Sequence, residues 1–108
     1  MKKEAIIKDE FERHITAKSR VAILLSGRFS SRVSYVFEIY RLAVKLDLMG
    51  FIKKTGDGSI EIETEATGEM QGNFINSLKG LVKDPDLNIN IESKDKLLNY
   101  NEFRIINH

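Results

Sequence analysis

The chain has 108 residues, of which 42% are hydrophobic and 31% charged, a composition that predicts a single soluble globular domain. Seventeen Lys and Arg against sixteen Asp and Glu leave a formal charge of +1, too little to hold a polyphosphate or an anionic membrane in bulk, so any anion site is local. The absence of cysteine excludes disulfides, thiolate metal sites and thiol nucleophiles, and with only two histidines, His14 and His108, an all-histidine metal centre is excluded too. No cofactor is therefore expected. Residues 1–10 contain no uninterrupted apolar run, and no later stretch approaches the ~20 apolar residues that span a bilayer. The expectation is a cytoplasmic protein.

Ile7, Phe11 and Ile15 lie four residues apart among charged residues, which predicts an amphipathic helix over 4–17. It packs on its own domain or serves a partner or a second copy. Residues 20–27, a short aliphatic run closed by Gly27, suit a central strand buried on both faces. Residues 28–34 carry three serines and two arginines and form a loop. Val36, Phe37, Tyr40, Ala43 and Val44 recur at helical spacing, predicting a helix over 35–47 with Gly50 as its stop.

Residues 51–55 and 59–65 flank Gly56-Asp57-Gly58, and the second run alternates apolar with acidic. This is a hairpin with Glu61, Glu63 and Glu65 on a solvated face. Thr67 caps a second helix whose stripe is Met70, Phe74, Leu78 and Leu81, and Asp84-Pro85-Asp86 ends it. Residues 87–92 and 103–106 form two further strands around a polar stretch at 93–96. Met49, Tyr100 and Phe103 are expected at the core or its rim.

The order after the leading helix is β-α-β-β-α-β with a short extra strand before the last. This predicts an α+β, ferredoxin-like sandwich, an antiparallel sheet with two helices on one face, plus the extra N-terminal helix. Residues 1–18 form a helical extension and 19–108 the domain. Such an arrangement hosts many functions, so the site must decide.

Arg20-Val21, Ser26-Gly27-Arg28, Tyr40-Arg41-Leu42-Ala43, Leu46-Asp47-Leu48-Met49-Gly50-Phe51-Ile52, Asp57-Gly58-Ser59-Ile60-Glu61-Ile62 and Phe103-Arg104-Ile105 together resemble the acylphosphatases over residues 19–106. The agreement of several independent spacings carries the resemblance, since a lone Asp-Gly turn occurs in any hairpin. The resemblance implies hydrolysis of carboxyl-phosphate anhydrides without metal or covalent intermediate. Such chemistry needs a cradle for the phosphate oxygens and an aligned water. In the family the cradle is the loop Gly-Arg-Val-Gln-Gly-Val, followed by two residues and an arginine whose fork grips the phosphate. An asparagine ending the second strand positions the water.

Carried onto this chain, the loop becomes Gly27-Arg28-Phe29-Ser30-Ser31-Arg32-Val33-Ser34-Tyr35. Counting from Gly27 puts Tyr35 at the family arginine; counting back from Gly50 puts Val36 there, and neither binds phosphate as a guanidinium does. Lys54 stands at the asparagine position. It offers donors only, whereas an amide presents a donor and an acceptor to water. Ser31 and Val33 replace loop glycines, and a β-branched residue resists the positive φ of an N–H nest. No catalytic residue is assigned. The candidate anion-binding set is Arg28, Phe29, Ser30, Ser31, Arg32, Val33, Ser34 and Lys54, in which Arg32 lies three or four residues from the expected arginine. That is several ångströms at ~3.3 Å per extended residue.

The leading expectation is an acylphosphatase-like domain without acylphosphatase activity, acting as a binding module for a small anion such as phosphate or for a protein partner. Its partner surface is the N-terminal helix, which also suits a homodimer. The alternative is a weakly active acylphosphatase in which Arg32 or Arg28 holds phosphate and Lys54 stabilises charge. A nucleic-acid module shares this chain order, but Glu61, Glu63 and Glu65 would repel phosphates, so neither nucleic acid nor membrane is an expected partner. A regulatory cleft for amino acids has no specific signal.

Overall fold

The computed structural model describes residues 17–28 and 34–106. The elements are β1 (Lys18–Gly27), α1 (Tyr35–Lys45), β2 (Met49–Lys54), β3 (Ile60–Thr67), α2 (Gly68–Leu81), β4 (Leu87–Lys94) and β5 (Phe103–Ile106). The N-terminal helix expected over 4–17 falls, apart from Ala17, outside the described residues, as do His14 and His108.

The strands form one sheet in the order β4-β1-β3-β2-β5. Neighbours are antiparallel except β2 and β5, which are parallel, so the sheet is mixed and not wholly antiparallel as the element order predicts. The cause is the link between β4 and β5. It leaves β4 at the end of the sheet where β1 begins, crosses to the opposite edge, and enters β5 beside Gly50 at the start of β2. β5 therefore runs the way β2 runs.

One face of the sheet carries the core. Val21, Ile23 and Leu25 of β1, Ile60, Ile62 and Ala66 of β3, Ile52 of β2 and Phe103 of β5 are buried there with Tyr35, Ile39 and Ala43 of α1 and Phe74 and Leu78 of α2. The period of two along each strand puts the intervening residues on the opposite face. β1 is thus buried on one face only, since Leu24 is 38% exposed, and the expectation of a strand buried on both sides is corrected. Its continuous apolar run conceals an alternation that helix packing, on one side of the sheet, imposes.

In α1 two stripes four residues apart interleave, 35/39/43 and 36/40/44. The helix buries the first, and Phe37 and Val44, expected on its core side, are 58% and 47% exposed. The helix also stops at Lys45 and not at residue 47, because Asp47 turns to φ +57°. α2 follows expectation: the Thr67 hydroxyl accepts from the Met70 N–H at 3.3 Å, and the helix ends at Leu81 before the Asp-Pro-Asp turn. β4 extends two residues past its expected end, to Lys94, paired with β1 throughout.

Candidate functional site

β1 and β2 both run antiparallel to β3, so their C-terminal ends lie at the same end of the sheet. Leu25 and Lys54 both stand opposite Ile60, and with ~4.8 Å between neighbouring strands their backbones are about 10 Å apart. Beyond Leu25 the chain passes Gly27 and Arg28, and α1 starts at Tyr35. The topology thus brings Arg28, Ser34 and Lys54 to one end of the domain, all three exposed. Phe29, Ser30, Ser31, Arg32 and Val33 lie outside the described residues.

Gly27 has a specific reason to be glycine. Its φ is +121°, and a Cβ there would sit 2.2 Å from the carbonyl oxygen of Asp86. Only a residue without a side chain lets β1 pass so close to the chain entering β4. Ser34 precedes α1, and its carbonyl accepts from the Glu38 N–H at 3.0 Å, while its hydroxyl makes no capping bond.

The hairpin turn holds Lys54 in place. Thr55 N–H donates to the Ser59 carbonyl at 2.8 Å, and Gly58 N–H donates to the Thr55 carbonyl at 3.0 Å. The Asp57 carboxylate accepts from the Thr55 hydroxyl and from the Ser59 N–H at 3.0 Å. These bonds, the Thr55 hydroxyl first, hold the Asp57 carboxyl below its usual 3.8.

At the two positions that the resemblance offers for the family arginine, Tyr35 is 8% exposed and part of the core, and Val36 is partly buried against the core. Lys54 closes β2. Its ammonium offers donors only and no acceptor.

A second polar cluster, which the sequence does not announce, occupies the open face of the sheet. Arg20 Nη1 lies 2.5 Å from Glu63 Oε1, and Arg20 Nε donates to the Lys96 carbonyl at 2.6 Å. The Glu65 carboxylate, 5% exposed, accepts from the N–H groups of Leu98 and Tyr100. The Tyr100 ring meets Phe51 edge-on with centroids 6.0 Å apart. The link between β4 and β5 is therefore bound down across the sheet, and Glu63 and Glu65 are not the solvated residues that alternation predicts. Alternation places them on the open face correctly; the returning link then covers that face. Beside it lies an open trough of about 450 Å³ bordered by Arg20, Leu24, Glu61, Glu63, Glu92 and Lys94. Each carboxylate here has a cation: Glu61 pairs with Lys53 at 3.6 Å and Glu92 with Lys94 at 3.3 Å.

Among the described residues no three of His, Asp and Glu come together to hold a metal, and no helix is long and apolar enough to cross a membrane.

No curated protein sequence matches the chain. Solved structures do. An acylphosphatase from Bacillus subtilis superposes with a TM-score of 0.70 at 22% identity, covering 82% of this chain and 99% of that one. One from Coxiella burnetii gives 0.67 at 19%, covering 82% and 93%. Full-length HypF, in its phosphate- and nucleotide-bound form, gives 0.67 at 19%, covering 86% of this chain and 12% of that chain. At such low identity these superpositions establish the fold alone, and HypF shows the fold embedded in a much larger chain. The acylphosphatase family model matches residues 21–105, nearly the whole span from β1 to β5. By that match the chain belongs to the acylphosphatase family.

Proposed function

We propose that this domain binds at the end of the sheet where β1 and β2 finish, and does not hydrolyse acyl phosphates there. The observation that carries the reading is the burial in the core of Tyr35, one of the two residues that the resemblance sets at the family arginine. A residue committed to packing is not free to grip a phosphate, and Val36, the other assignment, has no polar atom in its side chain. Lys54 at the asparagine position removes the acceptor that aligns water. The ligand class is a small anion such as phosphate, drawn by Arg28, Arg32 and Lys54 and by the N–H groups of residues 29–34, or a protein partner presenting one. In this reading residues 19–108 are the domain, residues 1–18 an amphipathic extension, and the setting is the cytoplasm. Nucleic acid is disfavoured, because Tyr100 packs on Phe51 and glutamates occupy the centre of the open face.

Membership of the family favours a second reading, residual hydrolysis with Arg28 or Arg32 on the phosphate and Lys54 stabilising charge. A mechanism that loses about a hundredfold to an ångström of misplacement argues against it. One experiment separates them. Phosphate titrated into the protein, followed by amide NMR, is expected to move residues 30–34 saturably, while turnover of a simple acyl phosphate stays at background. Turnover well above background that disappears in Arg32→Ala establishes the second reading. Amides that do not move with phosphate refute the anion site.

A further inference from the structure

Among the described residues β4 pairs with β1 alone and is the edge of the sheet. In an antiparallel edge strand every second residue turns its N–H and C=O outward, and natural edges are blunted with proline, lysine or bulges to stop them finding a partner. β4 has no proline and no bulge, and its charged residues, Glu92 and Lys94, lie at its C-terminal end, leaving residues 87–91, Leu-Asn-Ile-Asn-Ile, uncharged. Its pairing with β1 is continuous over eight residues. Ile91, on the helix side of the sheet opposite Ile23, is 38% exposed, so the helix layer stops short of this strand and leaves apolar surface at its rim.

The strand is complementary to itself in one register. Two copies related by a two-fold axis pair antiparallel, and side chains stay on matching faces only if the axis passes through a residue. An axis at Ile89 sets Leu87 against Ile91 twice but brings Asp86, in the turn before β4, alongside Glu92 of the second copy, like beside like. One at Ile91 sets Ile89 against Ser93 and Asn88 against Lys94. An axis at Asn90 sets Ile89 against Ile91 twice on the helix side. On the open side it sets Asn88 against Glu92 twice and brings Asp86, in the turn just before β4, alongside Lys94 twice. We propose that β4 is a self-association strand, joining two copies of this chain edge to edge about Asn90 into one ten-stranded sheet. The four isoleucines continue the apolar layer between sheet and helices, and the two Asp86–Lys94 pairs select the register. A single pair of strands forms a smaller interface than a permanent dimer needs, so association is concentration-dependent.

The test is sedimentation of the full chain from low micromolar to millimolar concentration, with amide hydrogen exchange over residues 87–94 at both extremes. Dimer is expected to appear with concentration, together with new protection of alternate β4 amides. Ile91→Lys, a change at a partly exposed position, is expected to abolish it without unfolding the monomer. Lys94→Glu and Asp86→Lys are each expected to weaken it several-fold, and the double variant to restore it. A chain that stays monomeric throughout overturns the proposal, as does a dimer indifferent to Ile91→Lys, which is held by another surface. Alternate β4 amides already protected in the dilute monomer overturn it too, since the edge is then covered by its own chain. A double variant no better than the singles refutes the register.

Discussion

The backbone N–H of Tyr100 donates to the carboxylate of Glu65 at 2.7 Å, and the neighbouring Leu98 N–H donates to the other oxygen of the same group. One buried side chain of β3 thereby satisfies two main-chain donors of the link that carries the chain from one edge of the sheet to the other. Replacing Glu65 with alanine leaves both donors without their partner, and we expect a loss of about 2–4 kcal/mol in denaturant unfolding. Glu61→Ala, on the same face of the same strand but paired only with Lys53 at 3.6 Å, is expected to change stability by less than about 1 kcal/mol. Equal losses at the two sites count against this account of the link.

Gln71 is a buried amide that ties α2 to the sheet. Its Nε2 donates to the carbonyls of Ser19 at 3.0 Å and Thr64 at 3.1 Å, and its Oε1 accepts from the Thr64 hydroxyl at 2.5 Å. Gln71→Leu fills similar volume but strands these three groups, so the expected cost is about 2–3 kcal/mol despite the gain in apolar surface. Thermal unfolding of the single variant and of Gln71→Leu with Thr64→Val measures it. The pair is expected to be less destabilised than the sum of its parts, because Val has no hydroxyl left to satisfy.

Gly27 and Gly56 make a matched test of backbone geometry. At Gly27 a methyl group collides with the Asp86 carbonyl and the positive φ is strained as well, so Gly27→Ala is expected to cost about 2–4 kcal/mol. At Gly56 no atom stands within 4 Å of the added Cβ, and alanine there is expected to lie within about 1 kcal/mol of the parent. Chemical denaturation of both variants distinguishes the effect of the close pass from a general intolerance of alanine.

Two groups set opposite pH limits. The Asp57 carboxyl titrates below its usual 3.8 in the folded chain because the Thr55 hydroxyl and Ser59 N–H bond to its charged form. Its contribution is present above the unfolded value and disappears as pH falls through the folded one. Burial, followed by the negative charge of Glu63, raises the Tyr100 phenol above 10.0. Its contribution is complete below 10.0 and is lost as pH rises through the folded value. Unfolding measured across both limits is expected to show an alkaline decline that is shallower in Tyr100→Phe, and carbon NMR is expected to place the Asp57 titration below that of an ordinary aspartate.

Local chemistry made much of the fold legible. The Gly-Asp-Gly turn, the Thr67 cap, the Asp-Pro-Asp stop and the period of two in β3 each act within a few residues, so they are written in consecutive letters. The spacing of Gly27, Gly50 and Asp57 likewise carries the family, and it is this spacing that assigns Tyr35 or Val36 and Lys54 to the positions of the family's arginine and asparagine. The sequence leaves Tyr35 and Val36 as two assignments of one position. The structure adds a distinction between them, since Tyr35 belongs to the buried stripe of α1 and Val36 to its flank.

The sequence by itself determined the order and kind of the elements from β1 to β5. Tertiary structure alone decided which stripe of α1 is buried, that β5 joins the sheet parallel to β2, and that Glu63 and Glu65 are covered. The direction of β5 follows from the route of the 95–102 link, and the other two share one physical reason. Amphipathic pattern says which residues share a face, but which face is shielded from water depends on segments far away in the chain. Here those segments are the α2 helix above the sheet and the 95–102 link below it.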